Sequence, residues 1–182
     1  MTWVDSEYAG ELAVVSAWLA ALLPWSVTVR SGTLLGESAS LIIVRFPAAM
    51  FQFLFGPEVQ GFDSFVPVWA APGFTGSEAV ATAYTLWLAA AALVGLAVVF
   101  SAIYYARDDL VEERSPVDPV RLMGALLLPA GVFMFAAAVL LFRAQGGVTI
   151  PVGAGLVPVL GGLLLIVDRT ETDERGAASE GS

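Results

Sequence analysis

No cysteine and no histidine occur among the 182 residues, lysine is missing too, and all eight basic side chains are arginine. Each absence removes a class of chemistry. Without cysteine there is no disulfide framework, thiolate nucleophile, iron–sulfur ligation or lipoprotein-type acylation. Without histidine the usual haem ligands, the commonest transition-metal ligand and the Ser–His and Cys–His nucleophile pairs are gone. Without lysine no Schiff base to retinal or pyridoxal phosphate can form, and a Walker-type phosphate loop lacks its cation. Charge is scarce as well. Charged residues make up 14% and hydrophobic residues 58%, against about 25% and roughly 45–50% in an ordinary globular domain. What charge there is leans acidic, with a net charge of −9. A basic footprint for nucleic acid is therefore absent, and no D-x-D-x-D-G calcium loop occurs. The acids read as a hydrated surface. No catalytic residue, cofactor site or metal site is expected.

What is present in abundance is apolar, charge-free sequence, with a mean hydropathy of +0.80. The pattern predicts an all-α membrane protein of four transmembrane helices, residues 1–168, followed by a disordered acidic tail, 169–182. The spans fall at about 12–29, 79–106, 120–142 and 149–167. The first, LAVVSAWLAALLPWSVTV, has 18 residues without a charge, about 27 Å of helix, with Pro24 near its far end. It lacks the positive start and cleavage site of a secretory signal. In the second, Thr75 to Glu78 fits a capping box and Ser77 alone could cap. Twenty residues separate Tyr84 from Tyr104, about 30 Å, which matches the hydrocarbon thickness with an aromatic belt at each face. Asp118 and Pro119 read as cap and first position of the third span. Arg121 and Arg143 can snorkel outward from its two ends. Ala144 to Val148, AQGGV, then gives a tight turn.

Between the first two spans, residues 30–77 form a short extended and amphipathic extracytoplasmic segment. Leu41 to Phe46 is rich in β-branched residues, and Pro47 pushes Phe46 into an extended conformation. A charge at the centre of a span costs about 2.5–3.5 kcal/mol, so Arg45 argues against full insertion here. A short strand followed by an amphipathic turn or helix near the membrane surface is expected. Phe46 to Phe74 holds seven of the eleven Phe residues. That density suits either an anchor at headgroup level or a packed cap over the helices.

Every acidic residue lies outside the apolar cores, so no proton relay or carboxylate pair sits at the midplane. Ser16, Thr85 and Ser101 can satisfy themselves on their own helices. Two small-residue faces stand out instead. Ala154, Gly155, Pro158, Gly161 and Gly162 share one face of the fourth span, and Ala81, Thr85, Ala89 and Ala92 make a smooth stripe on the second. Small faces let helix backbones approach closely, so contact with other helices, in the same chain or a second copy, is expected. Arg45, Phe46 and Pro47 form a candidate outer-surface contact; an Arg there could also snorkel or pair with Glu37 or Glu58. Five arginines lie on the side of the termini (Arg107, Arg114, Arg121, Arg169, Arg175) against three on the other (Arg30, Arg45, Arg143). That count favours cytoplasmic termini.

Arginine without lysine, acids in every loop and an acidic tail resemble a salt-in haloarchaeal protein. The blocks LLPWSV (Leu22 to Val27) and VRFP (Val44 to Pro47), set between the first two spans, resemble an uncharacterised family of small haloarchaeal multi-span membrane proteins. The resemblance implies location and fold and brings no activity. The expected function is a non-catalytic, structural or partner-binding component of the cell membrane. Its partners would be the lipid bilayer and a second copy or another membrane protein. The alternative is a small transporter or channel subunit acting as an oligomer.

Overall fold

The computed structural model describes residues 8–71, 73, 77–106, 118–145 and 147–166. In chain order these form α1 (Ala9–Leu22), β1 (Ser26–Leu34), β2 (Glu37–Arg45), β3 (Ala49–Phe55), β4 (Phe65–Pro67), a 3-10 turn (Val68–Ala70), α2 (Glu78–Ala106), α3 (Pro119–Gln145), β5 (Val148–Ile150) and α4 (Val152–Ile166). The expected all-α architecture is overturned: an antiparallel five-stranded sheet, in the order β4-β3-β2-β1-β5, joins the helices in a mixed α/β fold. Two of the helices, α2 and α3, are long and apolar enough to cross a membrane; α1 and α4 are shorter apolar helices.

The predicted first span fails at Pro24. The residue before a proline is driven out of the α region, and Leu23 is extended with ψ 138° while its N–H still closes the last turn on Leu19 at 2.9 Å. Residues 26–29 then enter β1 rather than prolonging a helix. The predicted fourth span loses its start for the same kind of reason, since Val148–Ile150 is a strand and Pro151 separates it from α4. Within 30–77 the predicted strand exists as β2. The amphipathic turn or helix expected after it is instead β3, whose Phe51, Phe53 and Phe55 alternate with Gln52 and Leu54 at the strand period. The second and third spans match α2 and α3 closely. Asp118 caps α3 as expected, its Oδ1 accepting the Val120 N–H at 3.0 Å. Thr75 of the proposed capping box, most of the 107–119 loop and the tail lie outside the described residues.

Strands β1 and β2 are joined by Leu35 and Gly36, both at positive φ (55° and 86°). Positive φ at both central residues is what a two-residue hairpin needs to match strand twist. Register then sorts the sheet into two faces. One rung reads Ile150, Val27, Val44, Phe51, Phe65 across all five strands, and the next on that face reads Val148, Val29, Ile42, Phe53. Between them, pointing the other way, lie Ser26, Arg45, Met50, Val66 and then Thr149, Thr28, Ile43, Gln52. This second face packs on the helices: Trp25 stacks obliquely on Trp87 (5.7 Å between centroids), Tyr84 meets Trp87 edge-on (5.5 Å), and the Tyr84 hydroxyl reaches the Met50 sulfur at 3.9 Å.

Helix α2 buries Ala83, Trp87, Ala90, Val94, Ala97 and Ser101, a heptad-like stripe against the other helices. A Cβ on Gly10 would stand 2.7 Å from the Tyr104 hydroxyl, so α1 begins beside the end of α2. Helices α3 and α4 meet through missing side chains. A Cβ on Gly161 would collide with the Leu128 backbone nitrogen, one on Gly131 with the Pro158 ring, and one on Gly124 would lie 2.9 Å from the Gly161 carbonyl. Nothing lies within 4 Å of the corresponding position on Gly155. Gly161→Leu is therefore expected to destabilise the fold by about 1–3 kcal/mol through overpacking. Gly155→Ala should be neutral or stabilising, because it removes the backbone entropy of a helical glycine. Thermal unfolding of both variants in detergent micelles checks the pair.

Candidate functional site

Among the described residues one cationic side chain is buried, and it lies on the inward face of the sheet: Arg45 is 0% exposed. It ends β2, directly opposite Ser26 on β1. Its Nη1 donates to Thr28 Oγ1 at 2.7 Å, and Thr28 Oγ1 lies 2.9 Å from Thr149 Oγ1 on β5. Its Nη2 reaches Gln145 Oε1 at 3.4 Å, at the last residue of α3. Among the described residues no carboxylate lies within 4.0 Å of it. Its Nε, the Ser26 hydroxyl and the Trp25 indole N–H are buried without hydrogen-bond partners.

The backbone around Arg45 is drawn into the same junction. Trp25 N–H donates to the Arg45 carbonyl at 2.8 Å, and the Trp87 indole N–H donates to the Phe46 carbonyl at 3.0 Å. The first turn of α4 donates back, Gly153 N–H to the Pro24 carbonyl at 3.0 Å and Ala154 N–H to the Trp25 carbonyl at 3.2 Å. Those are amide groups that a helix start leaves without intrahelical partners. Gly153 must be glycine here, because a Cβ would stand 2.8 Å from the Pro24 carbonyl oxygen. Arg45 thus ties β1, β2, β5 and α3 to one point. The junction supplies a fixed positive charge and hydroxyl and amide dipoles.

The sequence placed Arg45, Phe46 and Pro47 on an outer surface. The structure turns them inward: Arg45 and Pro47 are buried and Phe46 is half-buried against Phe51. Pairing with Glu37 or Glu58 does not occur, since Glu37 stands at the far end of β2 and both acids are exposed. On α4, Ala154 and Gly161 are buried and Pro158 is half-buried against Gly131, whereas Gly155 is exposed and a Cβ on the half-buried Gly162 would meet nothing within 4 Å. On α2, Thr85, Ala89 and Ala92 are exposed and Ala81 is half-buried, so that stripe faces away from the bundle. Thr85 and Ser101 do bond their own helix, to Ala81 O at 2.9 Å and Val98 O at 2.8 Å. Sequence reasoning missed Thr28 and Gln145 as partners of Arg45, and Thr149 as the partner of Thr28. The contacts span up to 121 residues, and only the β-branched threonines flanking apolar runs hinted at strand positions.

A family model covers residues 2–169, and its description is a family of unknown function, DUF7549. The chain belongs to that family. No curated protein matches the chain. The part of DUF7549 seen here takes in all the described helices and strands, including the whole Arg45 junction. The resemblance expected from LLPWSV and VRFP was to an uncharacterised family, and DUF7549 agrees with that coarser statement. In this DUF7549 member the two blocks have a structural meaning: LLPWSV breaks α1 and starts β1, and VRFP ends β2 on the buried guanidinium.

Thr28→Val removes the best acceptor of a buried cation. Hydrogen bonds to charged groups contribute about 1.5–3 kcal/mol, and an orphaned charged donor is costly. A destabilisation of that size is expected in denaturant titrations in micelles. Adding Arg45→Met removes the charge itself and should recover most of the loss, so the double-mutant cycle should show strong coupling. Simple addition of the two effects would mean that Thr28 and Arg45 act independently.

Proposed function

We propose that this chain is a non-catalytic integral protein of the cell membrane, a structural or partner-binding component whose helices lie in lipid. The observation that carries this reading is the surface of the long helices. In the most apolar 18-residue stretch of α2 only 28% is buried inside the chain, and in that of α3 39%. A core helix of a water-soluble domain would be covered by its own protein. Here Leu96, Val99 and Ile103 on α2 and Val132, Phe135 and Phe142 on α3 are all about half exposed. Monomeric soluble proteins rarely expose contiguous apolar patches beyond a few hundred Å². The remaining helices agree: Val15, Trp18 and Leu22 on α1 and Val159 and Leu163 on α4 are likewise outward and exposed.

The same reading puts both termini and the 107–117 loop on the cytoplasmic side and the sheet outside, the five-against-three arginine balance standing as the vote for that orientation. The arginine-only basic set and acid-rich loops fit a haloarchaeal source. Partner binding would use the exposed small-residue side of α2, where Thr85, Ala89 and Ala92 offer a second copy or another membrane protein a close backbone approach.

The protein is expected to pellet with membranes and to stay there through an alkaline wash. Recovery in the supernatant of cells broken without detergent would overturn the reading. A reporter fused after Ser182 should work only if it is one that requires the cytoplasm. Reconstituted vesicles should show no tracer flux above empty ones; flux would replace this reading with an oligomeric channel or transporter.

A further inference from the structure

The sheet face that points away from the helices is apolar near the bundle and is uncovered among the described residues. Phe51, Phe53 and Phe65 are 39%, 48% and 55% exposed, and Ile150 is 52% exposed. Something apolar outside the described elements meets this face.

Helix length says what that is. A bilayer core is about 30 Å thick. Helix α2 has 29 residues and α3 has 27, enough for about 40 Å. Helix α1 has 14 residues and α4 has 15, which is only about 21–23 Å. On their side of the bundle the apolar wall falls short by about 8 Å. The chain that follows α1 is β1, and the chain that precedes α4 is β5. The outer face is apolar over the two rungs nearest the bundle, those of Val27 and Val29, which cover about 7 Å along the strand. Beyond them β1 and β2 turn polar, Ser31 facing Ser40 and Thr33 facing Ser38, while on β3 Phe55 continues the apolar run one rung further, opposite Ser40. A second sheet packed face to face would call for apolar side chains along the whole strands. On β1 and β2 this face is apolar only to the depth by which the two helices fall short.

From this we infer that the two apolar rungs of the outer face are immersed in lipid acyl chains at the sheet-side boundary of the bilayer, where they complete the hydrophobic thickness that α1 and α4 lack. The inference rests on the membrane reading above and adds a depth to it. The backbone at this depth is largely paired within the sheet, as lipid contact demands. The outermost strands, β4 and β5, are three residues each, so little open edge is presented.

The chain has no cysteine, so single spin labels can be placed at will. Val29→Cys, Phe53→Cys and Val148→Cys report on the second apolar rung, Ser38→Cys on the polar tip and Val99→Cys on the outward face of α2. Each variant is labelled, reconstituted into phosphatidylcholine–phosphatidylglycerol vesicles, and scored by collision with oxygen, which partitions into lipid, against a water-soluble nickel chelate. Labels at 29, 53, 148 and 99 should favour oxygen several-fold over the label at 38. If 99 favours oxygen while 29, 53 and 148 favour the chelate, the rungs lie in water and the inference fails with the membrane reading intact. If 99 also favours the chelate, the membrane reading itself fails. If the labels at 29, 53 and 148 are closed to both reagents and broaden one another between chains, a second copy covers the face and the inference is overturned. Three positions on one rung guard against a single variant that does not fold.

Discussion

A guanidinium withdrawn from water needs acceptors for its N–H groups, and if no carboxylate is at hand those acceptors must be neutral oxygens held in fixed places. Arg45 is in that position. Its acceptors are the hydroxyl of Thr28 and the amide oxygen of Gln145, with Thr149 bonded behind Thr28. Each comes from a different element. The strand register that sets Ser26 against Arg45, the pairing of β5 on β1 and the end point of α3 are all constrained by this one cation. The helix amides of Gly153 and Ala154 and the indole of Trp87 close on the backbone next to it. A shift of any neighbouring strand by one residue would turn the inner set outward and leave a buried charge bare, which is far costlier than a lost apolar contact.

The long helices were legible in the sequence because length and the absence of charge speak clearly over 27 or more residues. Asp118 before Pro119 marked a helix start, and the structure uses it as one. The first and fourth spans were misjudged because a charge-free apolar run does not distinguish a helix from a buried strand. The information was in Pro24 and in the Val-Thr-Val that follows it, and in Pro151 for β5. Alternation in Ala49–Phe55 was also present, and its period was hidden because Met50 and Leu54 make the other face largely apolar as well.

The candidate site was half legible. Arg45 stood out as a charge in apolar sequence, and the expectation that it would find water or a glutamate was reasonable for a lone arginine. What the sequence could not display is that Thr28 and Thr149 would be brought together across a separation of 121 positions. Small-residue faces had a mixed outcome for a related reason. On α4, glycine and proline are few and their side is selective: Gly161 and Pro158 sit against Gly124, Gly131 and Leu128. On α2, alanine occurs on every side, so smoothness alone does not choose between the stripe of Ala83, Ala90 and Ala97, which is buried, and that of Ala89 and Ala92, which is not.

The position of β5 bears on the order in which the molecule can be made. Strands β1 to β4 are complete by residue 67, yet β1 keeps an open edge, and Arg45 lacks Gln145 and the hydroxyl behind Thr28, until residue 150 has left the ribosome. For most of translation the nascent sheet therefore holds a cation with too few acceptors. A chain truncated after α3 would have Gln145 but never the Thr149 hydroxyl or the β5 edge, which makes the last short strand and its helix a seal on the first half of the molecule.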